Sequence, residues 1–256
     1  AALQPDSLWQ AFTAFSLTIS IIGLFAGGLC KGAVGIGLPF ISVPVLAFFV
    51  SVPKALAILA IPIFLTNALQ FFQGGLVRPV LKRYGLTTVM LVIGIGLGTQ
   101  LLIAMPVRLS YLLMGLVILT YPALRLTGRS QPFSLPREKW LAPSAGLLSG
   151  LLGGVTGFFA PVIVAFLAIQ RLDKNLFSAS VGLILFSGTI ALSSFLASFG
   201  VLGREELIAS ALALIPIFIG LRAGQAIRQY ISQKSFERIL TVVMTLIGIT
   251  MILRAL

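Results

Sequence analysis

The stretch from Gly27 to Pro44, GGLCKGAVGIGLPFISVP, places five glycines, two prolines and a lysine inside a long apolar region, and it restricts the fold more than any other. In hydrocarbon every backbone N–H and C=O needs a partner, so a segment rich in helix breakers persists only where other protein or a water-filled cavity supplies one. The stretch has an echo, GLLSGLLGGVTGFFAP, from Gly146 to Pro161. At an offset of 118, Gly28, Gly32 and Gly35 fall on Gly146, Gly150 and Gly153, Lys31 falls on Ser149, and Pro44 lands one position past Pro161.

With 58% hydrophobic residues, 9% charged residues and a mean hydropathy of +1.10, the chain reads as a polytopic membrane protein with no soluble domain. The net charge of +12 is spread between apolar segments instead of forming one patch. It therefore points to cytoplasmic loops and not to nucleic acid. A single cysteine, Cys30, rules out an internal disulfide, and no His or Cys cluster is present to hold a metal, so no cofactor is expected. Ala1 to Gln10 is polar with no evident secretory signal, and the first apolar run is long enough to remain as a membrane segment.

A span of about 20 apolar residues crosses the hydrocarbon core. On that rule ten apolar segments are expected: 11–29, 33–50, 54–72, 86–104, 108–126, 141–153, 157–169, 175–199, 205–225 and 235–255. The first two meet at the glycine stretch, and the sixth and seventh are short. Each of these pairs reads as a re-entrant or broken hairpin, leaving about six to eight full spans.

The chain divides into a first repeat (1–126), a polar connecting loop (127–140) and a second repeat (141–256), together one integral membrane domain. Lys54–Asn67 matches Lys174–Ser187 at an offset of 120, with Pro62 opposite Gly182, and Gly94 and Gly98 match Gly220 and Gly224. With the N-terminus outside, 14 of 18 basic residues fall on inside loops; setting aside Lys31 and Arg222 still leaves 12 against 4. Five segments per half then make the repeats inverted, so that the glycine hairpins enter from opposite faces and meet near the midplane. Secondary transporters are often built this way, with discontinuous helices around the substrate.

All six acidic residues, Asp6, Glu138, Asp173, Glu205, Glu206 and Glu237, lie in loops or near segment ends. Coupling through a buried carboxylate is therefore not expected. Without histidine or paired acids, catalysis also lacks its parts, so the chain is not read as an enzyme. What remains inside the apolar region is cationic or neutral. Lys31, with amide groups freed at Gly32, Gly35, Gly37, Gly153, Gly154, Thr156 and Gly157, suits an anion receptor; the competing reading is a lysine that snorkels to the surface. Asn67 and Ser187 are equivalent in the 120 register and suit a pair of donors, or else helix-to-helix hydrogen bonds. Cys30, Gln70 and Arg222 are secondary candidates, and Gly94/Gly98 and Gly220/Gly224 read as packing faces.

A stretch of the form G-x3-G-x2-G, ending in an apolar run with Pro and repeated in both halves, resembles the sulfite exporter TauE/SafE family of membrane proteins. The likeness runs from Gly23 to Leu256 and is carried by GGLCKGAVGIGLP, by GLLSGLLGGVTG and by the stretches around Asn67 and Ser187. This chain departs from the family's run of consecutive glycines, with Gly35-Ile36-Gly37-Leu38 in the first half. The resemblance implies an all-helical transporter of sulfite or another sulfur-containing organic anion, often outward, in the bacterial inner membrane. A carboxylate or metabolite carrier and a passive anion channel are the alternatives. The expected partners are a small anion and the lipid bilayer, and a homo-oligomer is compatible with the sequence.

Overall fold

A computed structural model describes residues 8, 12–35, 37–73, 76–126, 138–170, 172–228, 230 and 233–256. Among them are eleven helices and no strand: α1 (Ala14–Val34), α2 (Leu38–Ala47), α3 (Val52–Ile58), α4 (Ala60–Gln73), α5 (Val77–Ala104), α6 (Val107–Leu126), α7 (Glu138–Thr156), α8 (Ala160–Ile169), α9 (Lys174–Ser198), α10 (Arg204–Ile227) and α11 (Gln233–Ala255). Most of the expected polar loop, 127–137, lies outside the described residues, whereas 138–140 already belong to α7.

The glycine stretches do break, each by the same device. Gly35 ends α1 in the left-handed region (φ 88°), its N–H donating to Lys31 O at 2.7 Å. Gly157 ends α7 at φ 79°, its N–H donating to Gly153 O at 2.7 Å. Only glycine enters that region without a Cβ penalty. A proline in the first turn of α2 and of α8 then restarts the helix where its missing N–H costs nothing.

A further break was not expected. The third apolar segment is cut at Leu59 into α3 and α4, with a sharp bend between them. Pro62 has no N–H for the carbonyl of Ile58, and its ring crowds that carbonyl. Leu59 N–H turns back to Leu56 O at 3.2 Å, and the freed Ile61 N–H is taken by Ser210 Oγ of α10 at 3.0 Å. The counterpart helix α9 runs unbroken for 25 residues.

Four helices are long and apolar enough to cross a membrane among the described residues, five if the α3–α4 pair counts as one broken span. Glycine and proline set off α2 and α8, each 10 residues and too short to span alone.

The chain forms two compact units, and each draws on both halves of the sequence. The first contains α1, α2, α3, α10, α11 and most of α6; the second contains α5, α7, α8 and most of α4 and α9. In the first, α1 and α10 run parallel with their backbones touching. A Cβ on Gly28 would sit 2.2 Å from Ile217 O, one on Gly32 2.1 Å from Leu221 O, and one on Gly224 2.1 Å from Leu29 O. In the second, α7 and α5 do the same: Gly150 against Leu91 O (2.1 Å), Gly154 against Ile95 O (2.5 Å) and Gly98 against Leu151 O (2.3 Å). The glycines of the two stretches and the pairs Gly94/Gly98 and Gly220/Gly224 are thus partners in one kind of small-residue crossing.

These contacts also reset the repeat register. Gly28–Ile217 answers to Gly150–Leu91, and Gly32–Leu221 to Gly154–Ile95; the left-handed Gly35 answers to Gly157. The offset through the glycine stretch is therefore 122, one helical turn beyond 118. Lys31 pairs with Gly153, and Ser149 with Gly27. Gly94 and Gly98 meet the α7 backbone as Gly220 and Gly224 meet that of α1.

Candidate functional site

Lys31 lies on the last turn of α1, 7% exposed, just before the break. Its own carbonyl holds the Gly35 cap, so the lysine is fixed to the geometry of the turn. No atom lies within 4 Å of where a Gly35 Cβ would be, so the backbone there borders open space. Gly37 (φ 110°) forms the N-cap of α2, which has no side-chain capping hydrogen bond. Cys30 packs beneath this turn, its Sγ 2.8 Å from a Cβ placed on Gly37. Gly32, by contrast, is helical and pressed on α10. Arg222, on α10, is exposed. In the first unit the structure thus assembles Cys30, Lys31, Gly35 and Gly37 around one break.

The second unit holds the other group. Gly153 and Gly154 are inside α7, Gly153 against the Phe159 side chain and Gly154 against the α5 backbone. Thr156, fully buried, donates to Leu152 O at 2.7 Å and accepts from Phe158 N at 3.2 Å, which places it across the break. The Ser149 hydroxyl donates to Phe159 O and ties the two arms of the α7–α8 hairpin. The N-terminus of α8, like that of α2, has no side-chain cap.

Asn67 is 2% exposed and turned toward α9, with Nδ2 donating to Thr189 Oγ1 (2.9 Å) and to Leu185 O (3.3 Å). The bond is made with Thr189, 122 residues on, and not with Ser187, which is half-buried. Phe64 and Phe186, also 122 apart, pair at 5.2 Å. Gln70 is half-buried near the point where Gly182 meets the α4 backbone at Phe71. The threonine had a signal in the sequence, since it falls opposite Asn67 once the register is 122.

What the first break can do chemically follows from its parts. A lysine ammonium carries hydrogen-bond donors suited to an anion. The N-terminus of a 10-residue helix adds partial positive charge and outward-pointing amides. No group of three or more His, Cys, Asp or Glu that would hold a metal occurs among the described residues.

The family model described as sulfite exporter TauE/SafE matches residues 19–251, nearly the whole chain. No curated protein and no solved structure matches the chain.

Proposed function

The chain belongs to the sulfite exporter TauE/SafE family, a family of membrane transporters, and from that premise we propose that it carries sulfite or a small sulfonate across the cell membrane, outward. The observation that carries the anion reading is the buried Lys31 beside the open turn at Gly35 and the uncapped amide end of α2. Lys31 and the amides around Gly35 and Gly37 hold the anion. The break at Gly157, with Thr156 and the α8 amide end, offers the same kind of backbone without a charge, because Gly153 stands where the first half has Lys31. One full charge against neutral dipoles binds an oxyanion while still allowing its release.

The repeats are inverted in this reading. A twofold relation brings equivalent residues face to face, as Asn67 meets Thr189 and Phe64 meets Phe186. The α4–α9 contacts run antiparallel, Asn67 toward Leu185 and Thr189 but Phe71 toward Gly182. Equivalent helices that cross antiparallel enter the bilayer from opposite faces. The distribution of charge supports this reading: α5 begins with Arg78, Lys82 and Arg83 and its parallel partner α7 carries Lys139, as suits two helices that start on the cytoplasmic side of a bacterial inner membrane.

A thermal-shift screen of purified protein against sulfite, thiosulfate, sulfate, short sulfonates and carboxylates tests the substrate class. A ligand at a hundred times its dissociation constant stabilises the folded state by about 2.7 kcal/mol. Sulfite or a sulfonate should raise the melting temperature most. A shift with carboxylates alone would replace this reading with a carboxylate carrier.

A further inference from the structure

In the carrier reading the anion sits at the N-terminal end of α2, and the opposite end of that helix is closed by groups from distant parts of the chain. α2 has 10 residues, and Pro44 inside it brings no N–H to the backbone ladder. A helix so short takes its position from what packs on it. Its last turn carries no basic residue of its own. The N–H groups of Phe48, Phe49 and Val50 turn back to Val45 O and Leu46 O at 3.3, 2.9 and 3.0 Å. The next two carbonyls are taken by Arg254 of α11, with Nη1 donating to Ala47 O at 2.8 Å and Nη2 to Phe48 O at 3.1 Å. Tyr111 of α6 donates to the same Ala47 O at 2.9 Å. The guanidinium also lies 4.5 Å from the ring centroid of Phe48 and 5.3 Å from that of Tyr111, so ring contacts reinforce its hydrogen bonds.

The two donors reach one carbonyl because their helices touch. A Cβ on Gly115 of α6 would sit 2.8 Å from Gly248 O and 2.8 Å from Ile252 Cγ1 of α11, and one on Gly248 would meet Leu119 Cδ2 at 2.7 Å. The pair therefore runs antiparallel, with Tyr111 one turn before Gly115 and Arg254 six residues after Gly248, at the same end of the crossing. A cation at the C-terminal end of a helix complements its dipole, and this one ties α2 to the α6–α11 pair. We propose that Arg254 is a positioning residue for the anion: acting through α2, about 15 Å long at 1.5 Å per residue, it holds the amide end at Gly37 beside Lys31. The inference rests on the reading of Lys31 and Gly37 as the anion site. When α2 is released at Ala47, its amide end is in place only part of the time, and apparent affinity falls by that fraction. Coupling of this kind is reciprocal, so an anion on the amide end tightens the Arg254 contacts in return.

Amide exchange of the purified wild type, with and without sulfite, reads that coupling with no substitution. Sulfite should slow exchange in residues 45–50 by about three- to tenfold, as well as in 37–41; slowing confined to 37–41 overturns the positioning role. In proteoliposome counterflow, Arg254→Gln should raise half-saturation for sulfite by about three- to tenfold, the value of one hydrogen bond, with maximal flux little changed. Tyr111→Phe, which removes only a hydroxyl, should raise it by about two- to threefold, and Arg254→Lys, which keeps the charge, should stay within about twofold of wild type. A residue that only stabilised the fold would lower maximal flux through fewer intact carriers and leave half-saturation alone. Unchanged half-saturation in both Arg254→Gln and Tyr111→Phe overturns this inference while sulfite transport by the wild type upholds the reading beneath it, and a wild type that neither binds nor carries sulfite removes both.

Discussion

Lys31 was legible in the sequence because a lysine among helix breakers in an apolar run needs a reason, and the structure places it buried at the turn. Its repeat partner was not legible. The second half has glycines at 146, 150, 153, 154 and 157, so the spacing of four then three occurs in two registers one turn apart, and only the backbone contacts choose between them. If Lys31 binds the anion, Lys31→Ala should weaken affinity by about ten- to hundredfold, the loss of a charge-assisted hydrogen bond, and Lys31→Arg should retain part of it. Calorimetric titration with sulfite measures this; unchanged affinity in folded Lys31→Ala would leave the site to backbone amides. Asn67 should behave differently, since its amide is engaged by α9. Asn67→Ala should cost about 0.6–2 kcal/mol of stability and leave sulfite affinity within about twofold, a smaller change than the loss of one hydrogen bond to the anion.

Among the elements, the helical character and the two glycine breaks could be read from composition and local chemistry, because glycine and proline act through their own dihedrals. Partner choice could not, since each glycine pair reads alone as a generic small face. The break at Leu59 was missed for a related reason: a proline in an apolar helix is often accommodated, and here the bend is secured by Ser210, which is distant in sequence. The crossings make a sharp expectation. Gly28→Leu forces a side chain into the Ile217 carbonyl and should destabilise the protein by about 1–3 kcal/mol or more. Gly85→Ala, with nothing within 4 Å of the new Cβ, should stabilise by up to about 1 kcal/mol. Thermal melts in one detergent compare them, and equal effects would contradict close backbone crossing. The short α2 is held at its far end by Arg254, which donates to Ala47 O (2.8 Å) and Phe48 O (3.1 Å) and stacks over Phe48 and Tyr111; Tyr111 also donates to Ala47 O at 2.9 Å. Arg254→Ala should therefore loosen α2 and speed amide exchange in residues 45–50, and exchange at the wild-type rate would show that the contacts do not hold that end.

For the whole molecule, the membrane class and the family were evident from hydropathy and the repeated glycine pattern. The make-up of each compact unit was not, because it depends on α1 packing with α10 and α5 with α7 across the sequence halves. In a Cys30→Ser background, Arg204→Cys should react with an impermeant thiol reagent in intact cells and Arg83→Cys should be shielded; the reverse pattern would invert the orientation. The anion-carrier claim itself is tested most directly by counterflow in proteoliposomes. Unlabelled sulfite loaded inside should accelerate entry of radiolabelled sulfite, with saturation, and Lys31→Ala should shift half-saturation upward by about ten- to hundredfold. Sulfite flux that neither saturates nor responds to internal sulfite would make the protein a passive pore, and no sulfite flux at all would contradict the proposed substrate.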